Sequence, residues 1–292
     1  MKETVQISAV SVDNRPADID GNLKRIFQWT ERAANLGTEL VVFPELSLSG
    51  FIPNHPVGDH AQWLQNALQA ARALAEPIPG PSTDLLVSIA KQFQLYCAVG
   101  LLEDAGNLLH NAYVLVGPNG LVGRWRKMHV PMFEMPFYNG GKGVTVFQTS
   151  LERIGANICF DALMPESTRL LAVQNAEIVL FPFAADPPPC TPADWAQWAG
   201  LPVRARCMEN GLFGICANYV GKVACAGVEQ VFPGGAMAIG PRGELLSQWL
   251  EGCGQPGMLT VKIHASDLAA ARSGPEYLYR FRRPELYRPL LE

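Results

Sequence analysis

Two stretches, "GTELVVFPEL" (37–46) and "NAEIVLFPFA" (175–184), constrain the fold of this chain more than anything else in it. Each is an unbroken apolar run that closes in Phe-Pro. A strand with one wet face alternates apolar and polar residues, whereas an unbroken run is buried on both faces. The two stretches also echo each other, which predicts two halves packed face to face. The echo breaks at one position: Glu45 in the first copy faces Phe183 in the second. One strand end carries a carboxylate and its counterpart does not.

Other strand-like runs are spread along the chain. They lie at 5–12, 96–103, 111–118, 120–127, 144–149, 153–160, 212–220, 235–241 and 257–263. They are rich in β-branched and aromatic residues and punctuated by Gly, Pro or Asn. Amphipathic helices are predicted over 18–37, 59–76 and 82–94, with an Asp available as N-cap for the first. Two more begin near Pro165 and Pro192, since proline suits a first helical turn. The turns "GPNG" (117–120) and "GPRG" (240–243) look like hairpin connections. Helices therefore do not follow every strand, which disfavours an eight-fold βα barrel. An α/β fold with mixed sheets and outer helices is expected. No linker splits the chain, so 1–270 reads as a single domain and 271–292 as a tail.

Composition narrows the function. Apolar residues make up 48% and charged residues 17% of the 292, with a net charge of −4. That describes a globular chain with no basic surplus for nucleic acid. The start, "MKETVQISAV", lacks a long apolar region, so no secretory signal is expected. "IVLFPFAA" (178–185) is too short to span a bilayer. Cysteines stand at 97, 159, 190, 207, 216, 225 and 253, an odd number without a CxxC pair. No disulfide framework and no metal site is expected, and a cytoplasmic setting fits. Most of these thiols read as core residues.

Three strand ends carry the chemistry. "VVFPE" delivers Glu45, "GRWRK" delivers Lys127 and "GANIC" delivers Cys159. Singly, Glu45 fits a surface turn, Lys127 a basic face with Arg124 and Arg126, and Cys159 a core thiol. Together they meet the needs of nucleophilic catalysis. A free thiol is only slightly ionised near neutrality and needs a base to take its proton. Glu45 can be that base. Lys127 can stabilise the thiolate and the oxyanion that forms when a carbonyl is attacked.

Glu45 in "VVFPELSLSG", Lys127 in "GRWRKMHVP" and Cys159 in "GANICFDALMPE" resemble the three signature segments of the nitrilase superfamily, the carbon–nitrogen hydrolases. "IPGP" (78–81), "RARCMENGLFGICANYVG" (204–221), "GGAMAIGPRGELL" (234–246) and "RFRRPELY" (280–287) extend the resemblance over nearly the whole chain. It implies a four-layer αββα sandwich of two mixed β-sheets flanked by helices, and a Glu-Lys-Cys catalytic triad without cofactor. Glu134 matches a second glutamate that the family often carries, with a role in orienting Lys127 and the substrate. His129 is expected to be a structural hydrogen-bonder beside Lys127.

The implied reaction is hydrolysis of a small-molecule amide through a cysteine thioester, with an N-carbamoyl substrate as the alternative. Relatives acting on nitriles usually show Cys-Trp-Glu, and this chain has Cys159-Phe160-Asp161. Carbamoylases of D-amino acids carry an arginine three residues after the cysteine, and here that residue is Ala162. An obvious anchor for a substrate carboxylate is thus missing. Phe183, Trp195 and Trp198 are candidate pocket walls. Phe160, through its backbone N–H, and Tyr138 complete the expected substrate-binding set. Two other readings remain: a Cys–His acyl transferase using His110 or His129, and a non-catalytic binding relative. A serine amidase is disfavoured, because no GxSxG loop is present. The tail at 277–291 has four arginines against one glutamate and several aromatics. In similar proteins such a tail packs across a subunit interface, so a homodimer or larger homo-oligomer is expected.

Overall fold

The computed structural model describes residues 2–55, 58–251 and 254–291. Cys253, named above among the thiols, lies outside them. Two six-stranded mixed sheets form the centre. The first contains β1 (Thr4–Ser11), β2 (Leu40–Val42), β3 (Tyr96–Asp104), β4 (Leu109–Gly117), β5 (Gly120–Arg126) and β14 (Gly257–His264). The second contains β6 (Phe147–Gln148), β7 (Arg153–Ala156), β8 (Ile178–Phe183), β9 (Phe213–Asn218), β12 (Ala236–Ile239) and β13 (Leu245–Trp249). A separate hairpin joins β10 (Val220–Cys225) to β11 (Val228–Pro233).

The strand orders are β14-β1-β2-β3-β4-β5 and β13-β12-β9-β8-β7-β6. Reversed, the second sheet repeats the first. In each, three parallel strands are followed by two antiparallel ones, and one antiparallel strand flanks the start. The echo between β2 and β8 is therefore an echo of whole sheets. Both strands are fully buried. In β2 the period of two sends Leu40 and Val42 to the core between the sheets. It sends Val41 and Phe43 to the core under the helices. That is why this strand shows no alternation.

Helices α1 (Ile19–Asn35) and α3 (Pro81–Phe93) cover the first sheet. Helices α4 (Pro165–Val173) and α5 (Pro192–Asn210) cover the second. The result is the expected αββα sandwich. α2 (His60–Leu74) packs on a third apolar cluster with Phe137 and Tyr138. Asp18 caps α1 by accepting from the Gly21 N–H at 3.1 Å, and Asp59 caps α2 in the same way.

The sequence reading missed β10, β11, β13 and α6 (Ala265–Ser273). Each is only partly buried, and α6 buries Leu268 alone. An apolar signal is weak where one face is wet. The reading also overextended 153–160, since β7 stops at Ala156 and the chain turns. No helix among the described residues is long and apolar enough to cross a membrane. Cys97, Cys159, Cys207 and Cys216 are buried, whereas Cys190 is exposed.

Candidate active site

Glu45 leaves the end of β2 on a tight turn that rests against β3. The contact works because residue 100 is a glycine. A Cβ there would meet the Leu46 nitrogen at 2.2 Å. Glu45 is 1% exposed, yet its carboxylate is fully engaged. Oε1 accepts from Lys127 Nζ at 2.8 Å and from Asn111 Nδ2 at 2.7 Å. Oε2 accepts from the Ala184 N–H at 2.9 Å. Ala184 directly follows Phe183, the counterpart of Glu45 in the second sheet. The carboxylate present in only one copy of the echo thus holds the backbone of the other copy.

Lys127 follows β5, and its N–H donates to the Asn111 carbonyl at 2.9 Å. Its ammonium has no exposed surface and lies between two carboxylates, with Glu134 Oε2 at 2.9 Å. Burial works against that charge. Glu134 and Glu45, with Cys159, outweigh burial and hold the Lys127 pKa well above the ordinary lysine value. Glu134 sits in a turn after Pro131, and one turn later the Tyr138 N–H donates to its carbonyl. Burial pushes the Glu134 carboxyl up to about 7 despite the pull of Lys127.

Cys159 lies on a sharp turn between β7 and a 3₁₀ segment, Cys159–Leu163. Its φ of 50° is the left-handed region, which a side-chain-bearing residue rarely adopts. Such strain gathers at functional sites and persists because surrounding contacts fix it. Burial raises the thiol pKa well above its usual value, and Glu45 raises it further. Lys127 and a hydrogen bond with the Ala184 backbone pull the other way. Burial and Glu45 together thus favour the neutral thiol over the thiolate.

Asp161 locks this turn to the lysine strand. It is 1% exposed and accepts from the N–H groups of Ile158 at 3.2 Å, Met128 at 3.2 Å and His129 at 2.8 Å. Its Oδ1 also lies 2.8 Å from His129 Nδ1. That contact raises the His129 pKa. One carboxylate thus holds the residues after Lys127 against the residues around Cys159. Asp161→Ala is expected to strand these buried N–H groups, lower stability by about 2–4 kcal/mol and cut turnover. Urea unfolding and a rate measurement check this.

The structure brings Glu45, Lys127, Glu134 and Cys159 together. Phe160, which follows Cys159 in the chain, is half-buried. Tyr138 is 4% exposed, and its hydroxyl finds no partner among the described residues. Its pKa is raised well above the usual value by burial and then by Glu134, which places it at the same charges. Phe183 and Trp195 have no exposed surface and meet edge to face at 5.8 Å. Trp195 also closes on the Gly235 backbone. Trp198 is 39% exposed and also meets the Phe183 ring edge-on, at 6.3 Å. His110 bonds the Asn139 carbonyl, and His129 bonds Asp161 and Ser167. Neither histidine bonds Cys159 among the described contacts, so the Cys–His reading has no geometric support. No group of three or more His, Cys, Asp or Glu among the described residues is arranged to hold a metal.

Sequence reasoning missed Asn111, the Ala184 N–H and the bracing role of Asp161. Asn111 left one signal, an amide in an otherwise apolar strand. Asp161 was read only as a mark of substrate class.

Known proteins resemble this chain in sequence and in fold. The carbon–nitrogen hydrolase family profile matches residues 4–273. An (R)-stereoselective amidase from a Pseudomonas species is 31% identical over 276 residues, covering 94% of this chain and 90% of its own. An N-carbamoylputrescine amidase from Solanum lycopersicum is 30% identical over 236 residues, covering 74% and 75%. A carbon–nitrogen hydrolase from Helicobacter pylori G27 shares the fold at a TM-score of 0.79 and 21% identity, over 99% of both chains. The chain belongs to the carbon–nitrogen hydrolases of the nitrilase superfamily, in its amidase and carbamoylase-like branch.

Proposed function

We propose that this carbon–nitrogen hydrolase cleaves a small-molecule amide to a carboxylic acid and ammonia through a thioester on Cys159. The observation that carries the reading is the buried Glu45–Lys127–Glu134 cluster acting on one strained thiol. Glu45 takes the proton from Cys159 as the sulfur attacks the carbonyl carbon. The carbonyl oxygen becomes an oxyanion held by Lys127 and the Phe160 N–H. Collapse breaks the C–N bond, and Glu45 returns its proton to the departing ammonia. Water, deprotonated by the same carboxylate, attacks the thioester and releases the acid and the thiol. Glu134 keeps Lys127 charged and aimed. Tyr138 and Phe160 line the acyl side, with Phe183 and Trp195 as the packed backing of that wall. No cofactor enters this cycle.

The N-carbamoyl alternative is favoured by one observation, the similarity to an N-carbamoylputrescine amidase. An ammonia-release screen over amides, N-carbamoyl compounds and nitriles, with Cys159→Ser as blank, separates the readings. Release from amides alone supports amide hydrolysis. Release from carbamoyl compounds alone moves the assignment, and release from none points to a non-catalytic relative.

The tail supports self-association. Tyr277 and Tyr279 stack at 5.8 Å, and Arg282 and Arg169 lie over the Tyr279 ring. Beyond them Phe281, Leu286, Leu290 and Leu291 are exposed. Such apolar exposure marks an interface. Residues 271–292 are therefore proposed to form an arm between subunits. Light scattering is expected to give at least a dimer, and a monomeric mass contradicts the arm.

A further inference from the structure

Beyond the triad, a second polar cluster joins the segment after Ala184 to the turn before Glu134. Two residues after Ala184, whose backbone meets both Glu45 and Cys159, the chain reaches Asp186. Two residues of extended chain span about 7 Å, so Asp186 lies within reach of a small substrate bound at the sulfur. Its Oδ2 accepts from Gln230 Nε2 at 3.0 Å and lies 3.7 Å from His55 Nδ1. Gln230 accepts from the Asn54 N–H at 3.1 Å. Asn54 is 6% exposed, and its Oδ1 finds no partner among the described residues. The His55 ring meets Phe133 edge-on at 5.3 Å, and Phe133 precedes Glu134. The cluster thus bridges the segment that touches the thiol and the turn that holds Glu134.

This cluster is rich in acceptors. Asp186 offers a carboxylate, and Asn54 offers a buried oxygen without a donor. Burial raises the Asp186 pKa, while Gln230 and His55 oppose the shift. Deeper in, Lys127 lies between Glu45 and Glu134, so its charge is committed to those two carboxylates. Ala162 adds no charge. A carboxylate and a buried oxygen that lacks a donor are both satisfied by a group that carries several N–H donors and a positive charge.

We infer that Asp186, with Asn54, binds an ammonium group on the substrate, and that the preferred substrates are amides bearing a protonated amine a few bonds from the carbonyl. The inference rests on the amide-hydrolase reading for its chemistry but not for its binding. The His55 ring lies 3.7 Å from the same carboxylate, and the substrate ammonium takes its place.

The test compares ω-amino carboxamides with two to six methylenes against alkyl amides of equal length and ω-carboxy amides. The wild-type chain is expected to favour the cationic series by about ten- to a hundred-fold in kcat/KM. Asp186→Asn is expected to bring that ratio near one, chiefly through KM, and Asp186→Glu to keep part of it. Equal rates on cationic and neutral amides in the wild type, or a ratio unmoved in Asp186→Asn, overturn the inference. Calorimetry with n-butylammonium chloride keeps the test independent of turnover. Binding to the wild type that weakens at least ten-fold in Asp186→Asn upholds the cation site even if no amide is hydrolysed. That combination sinks amide hydrolysis alone. Equal binding by both proteins overturns the site.

Discussion

Lys127→Met is expected to cost about 3–5 kcal/mol of stability and to lower turnover by about a thousand-fold. Lys127 is fully buried, and its ammonium is 2.8 Å from Glu45 and 2.9 Å from Glu134. Removing one member of a buried ionic cluster leaves the others uncompensated, which costs more than the cluster itself contributes. Catalysis loses the proposed oxyanion donor, worth about 100- to 1,000-fold. The thiol also loses one of the two groups that lower its pKa.

The stability deficit of this variant depends on pH. In the intact protein the Glu134 carboxyl titrates at about 7, above the ordinary 4.5, and Lys127 is the neighbour that draws it down. Without Lys127 it moves higher still. A carboxyl whose folded pKa exceeds its unfolded one contributes its stability in full below the unfolded value and loses it as pH rises through the folded value. The deficit of Lys127→Met is therefore level up to about pH 7, where the folded carboxyl stays protonated in both proteins, and grows above it, where only the parent has a cation beside the ionised carboxylate. Urea unfolding of both proteins from pH 4 to 9 reads it directly. A deficit that shrinks with rising pH contradicts the assigned charges.

Glu45→Gln is expected to separate proton transfer from thiol reactivity. The substitution keeps the shape that meets Asn111, Lys127 and the Ala184 N–H, but it removes the proposed base. Turnover should fall by about 100- to 10,000-fold. Glu45 is also one of the groups that raise the Cys159 pKa. Its loss makes the thiolate easier to form. Alkylation of Cys159 by iodoacetamide at fixed pH is therefore expected to proceed at least as fast as in the parent while the fold persists. A parallel collapse of turnover and alkylation in a folded variant would assign Glu45 to structure instead of proton transfer.

How much of this was legible in the sequence differs by element. β2 and β8 were plain, because burial on both faces leaves an unbroken apolar run. Glu45, Lys127 and Cys159 were legible for the opposite reason: each is a reactive side chain where such a run stops. The hairpin of β10 and β11 was not, since it buries only part of each strand and its pattern resembles a loop. The supports of the triad were also hidden. Asn111 reaches a carboxylate 66 positions away, and the Ala184 N–H reaches the same group across 139 positions. A backbone donor leaves no mark in composition, and Ala184 could be named only once the two sheets were placed against each other. Asp161 stood in plain sight beside the nucleophile, but its partners Met128 and His129 lie on another strand end. Asp186 follows the buried strand in a proline-rich stretch that reads as a loop, and only its contacts to Gln230 and His55 mark it out.

The central claim is that Cys159 carries the acyl group during turnover. Intact-mass spectrometry of the wild-type chain, acid-quenched during steady-state hydrolysis of an amide found active in the ammonia screen, tests it most directly. The account predicts a mass increase equal to the acyl group, mapped by peptide digestion to Cys159, labile to hydroxylamine and absent from Cys159→Ala, which also releases no ammonia. An adduct on another residue, or a Cys159→Ala protein that hydrolyses the amide at the parental rate, contradicts the account.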